Sequence, residues 1–460
     1  MPLLVNSSNR AKAAGAPRRI CILGLWHQAT VLSASFAQLG HHVRTVGDSH
    51  SAVAELNRGK SPVLEPGLNT LLRRGLKSGK LQFTTDYREA MHEAEFVYLS
   101  IDTPVNDRDE PQLESLFDAV RNAGKFWEPG MILCVTSQAP VGTSEKLSRM
   151  VSGQMSEAGC DVAYIPEFLR LGDAVGTFRR ADRFVIGADR ESVVDRIAEL
   201  YLPLRRPILW IGLRSAEMAK HACNTFLATS ISFINEIADL CDCVNADSLE
   251  VAQAMKLDRR IGPHAFLSPG LGFAGGTLGR EIRALQELGR ENRRETPLMD
   301  AVMSVNLDRA RAVRQRLIDQ CGPLNGLTIG ILGITYKPGT STLRRSVALE
   351  LVTTLAAENA QLRVYDPLAN WKEMDAGVTF TISLDPFSMA SGCDALVLVT
   401  EWDGILDLNL GRLRSAMRHP VFIDARNLFD PRAMLRAGFH YSALGRGTYR
   451  PARAAGGNRD

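Results

Sequence analysis

From residue 20 onward, short runs of consecutive apolar residues alternate with longer stretches in which apolar residues recur at helical spacing. Ile20, Cys21, Ile22 and Leu23 form the first run, which ends at Gly24. A helical pattern follows to Leu39 and stops at Gly40, a residue suited to the left-handed end of a helix. Further strand-like runs lie at 43–46, 96–100, 131–136, 162–165 and 184–186. Strands of this kind alternating with helices predict a parallel sheet covered on both faces. Residues 207–316 read as mainly helical, with one long and mostly apolar helix over 214–244. A second α/β pattern then begins, with a strand at 327–332, a helix at 346–359 and strands at 363–365, 395–399 and 421–423. The predicted fold class is α/β, with two Rossmann-like doubly wound domains joined by the long helix and its helical surroundings.

Composition narrows the classes of function. Across 460 residues, 45% are hydrophobic and 23% charged, as in ordinary globular proteins, and such a length predicts two or three domains. A net charge of +3 gives no ground for expecting nucleic acid or an acidic membrane surface as partner, so any pull on an anion must be local. Residues 1–17 lack the apolar core of a secretory signal, and no apolar run is long enough to span a bilayer. A cytoplasmic location is expected. Eight cysteines are scattered without a disulfide or zinc spacing; even the pair Cys241 and Cys243 reads as ordinary thiols, and no metal is expected.

The first strand, turn and helix suggest dinucleotide binding. The turn reads Gly24-Leu25-Trp26-His27-Gln28-Ala29. Against G-x-G-x-x-G/A, Gly24 is kept and Ala29 is acceptable at the third position. Trp26 stands at the second glycine, where the pyrophosphate approaches the backbone above the helix N-terminus. The acidic residue expected for the ribose hydroxyls falls on Gly47, and Asp48 comes one place late. A scaffold that no longer holds NAD normally is the expectation. His41-His42 reads as a turn and strand start, and Arg290, Arg293 and Arg294, interleaved with Glu291 and Glu295, as a solvated helix face.

Many separated stretches then resemble motifs of one family in the same order. Pro62-Val63-Leu64-Glu65-Pro66-Gly67-Leu68 is similar to P-x-x-E-P-G-L, Thr103-Pro104 to T-P, and Pro140-Val141-Gly142-Thr143 to P-V-G-T. Pro166-Glu167-Phe168-Leu169 resembles P-E-F-L, and Ser232-Phe233-Ile234-Asn235-Glu236 falls in the long helix. Tyr336-Lys337-Pro338 resembles F-K-P, Thr400-Glu401-Trp402 matches T-E-W, and Asp424-Ala425-Arg426-Asn427 resembles D-G-R-N. The chain thus resembles the UDP-glucose/GDP-mannose dehydrogenases over residues 18–446. The resemblance implies an NAD-type domain at 18–206, a central helical dimerisation domain at 207–316 and a UDP-binding-type domain at 317–446; outside it, residues 1–17 and the Arg-, Gly- and Ala-rich tail at 447–460 read as disordered.

It also implies a chemistry. The family oxidises a sugar C6 alcohol twice through a cysteine thioester, with NAD as cofactor, because a thiolate is a good nucleophile and a good leaving group. Here the cysteine loop reads Phe273-Ala274-Gly275-Gly276-Thr277-Leu278-Gly279-Arg280-Glu281, with Thr277 at the nucleophile and Glu281 for an aspartate. Gln138 stands where a threonine is expected, Leu171 and Arg345 where glutamates are, and Ser341-Thr342 where an acidic pair is. Glu217, Lys220 and Asn224 share one face of the long helix, and the resemblance gives Lys220 and Asn224 the oxyanion and a water. Glu167 is a candidate base. The resemblance gives cofactor roles to Gly24, Trp26, Ala29, Asp48 and Thr103, impaired by the changes above. On the substrate side it implies Leu169, Phe266, Ser268, Gly272, Phe273 and Gly275, with Arg260, Lys337, Arg344 and Arg426 for diphosphate, sugar or uridine.

The leading expectation is a diverged homologue that binds a UDP-type nucleotide sugar as a homodimer, or as a heteromer with an active homologue. The alternatives are an oxidoreductase with altered chemistry and an ordinary UDP-glucose 6-dehydrogenase whose replacements are compensated.

Overall fold

The structure is a computed structural model describing residues 3–5, 16–103, 112–153, 160–273, 278–343, 346–374, 377 and 379–449. The chain divides into two compact units, Met1–Cys223 and Asn224–Asp460, with the division inside the helix Leu213–Val244.

In the first unit a nine-stranded sheet is ordered Leu3–Val5, Ile208–Ile211, Phe184–Gly187, Asp161–Tyr164, Ile132–Val135, Phe96–Leu99, Arg19–Leu23, His42–Val46, Leu81–Thr84. The six strands from Leu81–Thr84 back to Asp161–Tyr164 pair parallel throughout. Their spatial order is that of the dinucleotide-binding doubly wound fold, which reverses direction between Arg19–Leu23 and Phe96–Leu99. Alternation sets the layers. Ile20 and Ile22 join one buried cluster, while Cys21 and Leu23 join another on the opposite face. The strands Leu81–Thr84 and Ile208–Ile211 are additional to those read from the sequence. So is Leu3–Val5, within the stretch expected to lack structure, which pairs antiparallel with Ile208–Ile211.

The second unit starts with the rest of the long helix and the helices Ser248–Leu257, Arg280–Glu291, Pro297–Leu307 and Arg309–Cys321. A seven-stranded sheet follows, ordered Thr381–Ile382, Gln361–Tyr365, Thr328–Leu332, Ala395–Leu398, Val421–Asp424, His440–Ala443, Thr448–Tyr449, parallel except for its last pair. It reverses between Thr328–Leu332 and Ala395–Leu398. Open α/β sheets bind ligands at such reversals, outside the carboxyl ends of the strands. Both crevices are marked by a glycine in the left-handed region. A Cβ on Gly24 (φ 127°) would stand 2.3 Å from the Ser100 carbonyl oxygen, and one on Gly333 (φ 85°) 2.4 Å from the Thr400 Cβ. Among the described residues, no helix is long and apolar enough to cross a membrane.

Candidate functional site

In the first unit, Gly24 holds the turn after the first inner strand and Trp26 is the N-cap of the helix His27–Leu39. The Trp26 carbonyl accepts the first helical bond, from Thr30, but its side chain makes no cap. Ala29 is fully buried against the sheet, as close packing of this helix requires. The residue that follows Gly24 answers the missing acidic group. The Leu25 side chain covers Gly47 so closely that a Cβ there would stand 2.7 Å from Leu25 Cγ. Asp48 is exposed and hydrogen-bonded to the Tyr87 hydroxyl, which burial first and the Asp48 charge second push up to about 12. Of the contacts by which the fingerprint holds NAD, the first glycine's seat is present. The second glycine and the ribose carboxylate are not supplied by this turn. Thr103, buried, donates to the Gln138 carbonyl at 2.8 Å.

The sequence assigned no role to His27, which lies 2.7 Å from a Glu65 carboxyl oxygen. Glu65 is buried and also accepts from the backbone N–H groups of Gly172 and Ala174, both at 2.9 Å. Burial works to raise this carboxyl, but His27 and the two amides hold it below its ordinary range. The glutamate of P-x-x-E-P-G-L is therefore a clamp between the dinucleotide turn and the loop after P-E-F-L.

Glu167 and Lys220 come together in the same unit. Lys220 donates to the Glu167 backbone carbonyl and stands 5.0 Å over the Phe168 ring, which Arg183 also faces at 4.8 Å. The Glu167 carboxyl is buried, and its Oε1 has no hydrogen-bond partner among the described residues. Burial pushes it up to about 7, with the Lys220 charge pulling the other way. Such a group changes protonation near neutrality, as proton transfer requires. Leu169 is half-buried beside it in sequence. Glu217 has a different task from its helix neighbours. Its two carboxyl oxygens accept from Gly142 and Ser144 at 2.6 and 2.9 Å, capping the helix Thr143–Ser152.

In the second unit, Asn224 donates to Glu281 at 3.1 Å, and Glu281 is fully buried. Phe266 and Ser268 are exposed, whereas Phe273 is buried and Gly272 adopts φ 86°. Arg260 is exposed, its guanidinium folded back on Asp258 with 2.6 and 3.1 Å contacts. Arg426 donates to the Val399 carbonyl and lies 3.2 Å from Glu401, at the carboxyl end of Ala395–Leu398 beside the sheet reversal. Its backbone N–H is held at 3.0 Å by Asp424, a carboxyl raised by burial although three amides and Tyr441 donate to it. Lys337 is half-buried in the loop after Thr328–Leu332. Thr277, Gly275 and Arg344 lie outside the described residues.

Three family models match the chain in order. They are the UDP-glucose/GDP-mannose dehydrogenase family's NAD binding domain at residues 18–205, its central domain at 214–308 and its UDP binding domain at 330–431. A UDP-glucose 6-dehydrogenase of Pseudomonas aeruginosa is 34% identical over 93% of this chain and 97% of its own length. One from Bacillus subtilis is 32% identical over 95% and 99%. Among solved structures, a UDP-glucose dehydrogenase from Pyrobaculum islandicum superposes with a TM-score of 0.84 at 31% identity, covering 90% of this chain and 95% of that one. A UDP-D-ManNAc dehydrogenase from Pyrococcus horikoshii gives 0.81 at 25% identity, over 93% and 99%.

Proposed function

The chain belongs to the UDP-glucose/GDP-mannose dehydrogenase family, and within it we propose a diverged member that binds a UDP-type nucleotide sugar without the family's NAD-dependent oxidation to a uronic acid. The observation that carries this reading is the dinucleotide turn. Trp26 replaces the glycine against which a pyrophosphate rests, and Leu25 fills the space over Gly47 that a ribose-binding carboxylate would need. Thr277 in place of the thiol adds to it, since a threonine hydroxyl needs an adjacent base to attack and an ester leaves less readily than a thioester.

The nucleotide-sugar side supports the binding half of the proposal. Arg426 sits at the carboxyl end of the second sheet, and Lys337 follows the strand on the other side of its reversal. There a fork of donors and a cation suit diphosphate oxygens. A homodimer is part of the same reading. Phe226, Phe233 and Leu240 recur every seven residues along the long helix and are 71, 44 and 59% exposed, an apolar stripe that a second copy would cover. The exposed Arg260 would then be available to a neighbour's site. We place the protein in the cytoplasm.

A second reading, an oxidoreductase with altered chemistry, is favoured by one observation: Glu167 keeps a buried carboxyl, raised by burial and with Oε1 unpartnered among the described residues, next to Lys220. Titration calorimetry with NAD, NADP, UDP and UDP-glucose separates the two. UDP-glucose binding without dinucleotide binding is the expected result. Reduced dinucleotide appearing with UDP-glucose, two equivalents per uronate, would refute divergence; one equivalent with an aldehyde product would establish the second reading.

A further inference from the structure

We propose that Arg309 is a positioning residue for the nucleotide sugar, acting through the backbone of the glycine-rich loop at 270–273; this rests on the binding reading above. Arg309 begins the helix Arg309–Cys321 and is 2% exposed, unusual for a guanidinium. Its Nε donates to the Gly270 carbonyl at 3.3 Å, and its Nη1 to Asp239 on the long helix at 2.7 Å. Asp239 is half exposed, so the guanidinium reaches outward through the unit to find its charge partner while its other edge holds the loop.

Neighbouring side chains hold the same short backbone from other directions. Asn235 accepts from the Gly270 N–H at 2.8 Å. Asn306 both accepts from Phe273 N–H at 2.8 Å and donates to its carbonyl at 2.9 Å, replacing a strand neighbour. Asn427 donates to the Pro269 carbonyl at 3.2 Å. Space is equally tight: a Cβ on Gly272 would stand 2.4 Å from Asn306 Oδ1 and 3.1 Å from Arg309 Cγ. The loop's shape is thereby fixed by side chains that do not themselves belong to it.

Two donors are kept buried without an acceptor among the described residues to achieve this, Arg309 Nη2 and Asn235 Nδ2. Both belong to side chains that grip Gly270. Apolar side chains in their place would orphan the buried Gly270 N–H and carbonyl, so polar groups hold this backbone even though two of their own donors go unmet. Retention of polar groups here fits a loop whose backbone must be held in one place, as a ligand site requires.

The test compares Arg309→Met and Arg309→Lys with the unaltered full chain. UDP-glucose and UDP affinities are measured by calorimetry, and amide exchange over residues 266–273 by mass spectrometry. Arg309→Met is expected to weaken UDP-glucose about tenfold while UDP alone changes less than about twofold, with Arg309→Lys recovering part of the loss. Exchange over the loop should rise in the Met variant. Unchanged UDP-glucose affinity, or an equal loss for UDP and UDP-glucose, overturns the proposal. If the unaltered chain binds neither compound, the binding reading falls. Loop exchange then decides alone whether Arg309 fixes the backbone: a rise upholds the clamp and no rise sinks it. Should Arg309→Met not fold, Arg309→Lys and Asp239→Asn carry the same comparison.

Discussion

Replacing Glu167 by Gln isolates one ionisation in the first unit. The carboxyl has an ordinary value of 4.5 and is pushed by burial to about 7, with Lys220 opposing. The folded state therefore holds the proton more tightly than the unfolded chain does. Below 4.5 both states are protonated and burial of the charge costs nothing. Stability is lost as pH rises toward 7, where the folded protein must ionise a buried group. Between about pH 5 and pH 8 the linkage amounts to roughly 2 to 3 kcal/mol, from the per-unit worth of a pKa shift. Glutamine keeps the shape and removes the ionisation, so any cost of its amide is independent of pH. Hydrogen exchange on peptides covering Arg19–Leu23, Phe96–Leu99 and Ile132–Val135, run side by side at each pH so that intrinsic rates cancel, reads the difference. The stability of Glu167→Gln relative to the unaltered chain should rise with pH by that amount. A difference flat within about 0.5 kcal/mol would mean that Glu167 titrates as an exposed glutamate does, and the poised carboxyl would be refuted.

The dinucleotide turn gives two further tests. Gly47→Asp alone should destabilise the first unit, since its Cβ would press into Leu25; paired with Leu25→Ala and Trp26→Gly it should produce NAD binding measurable by calorimetry, and none would show that the turn was misread. Thr277→Cys alone is expected to give no uronate from UDP-glucose and NAD, whereas Trp26→Gly with Thr277→Cys is the combination expected to restore a trace, followed by NADH absorbance. For the assembly, Phe233→Glu with Leu240→Glu should shift sedimentation from dimer to monomer at micromolar concentration, while a monomer before the change would remove the reason for the stripe.

What the sequence by itself determined was the succession of elements and the crevice. Apolar runs between helical patterns require sheets covered on both faces, because a strand with no polar side must be buried twice. Gly24 at the end of the first inner strand marks the fold's reversal for the same local reason, since only a glycine fits against the Ser100 carbonyl at that φ. Motif order likewise carried the family. Tertiary structure alone decided which partners those residues have. His27 and Glu65 stand 38 positions apart, and Arg309 and Gly270 39 apart, with no periodicity linking either pair. The helix pattern put Glu217 on the face of Lys220 and Asn224, yet Glu217 is spent on the helix Thr143–Ser152, because a buried carboxylate goes to the nearest unpaired amides. Leu25 over Gly47 is of the same kind: each residue is unremarkable in sequence, and only the pairing of the strands Arg19–Leu23 and His42–Val46 brings their flanking turns close enough for one to exclude a carboxylate at the other.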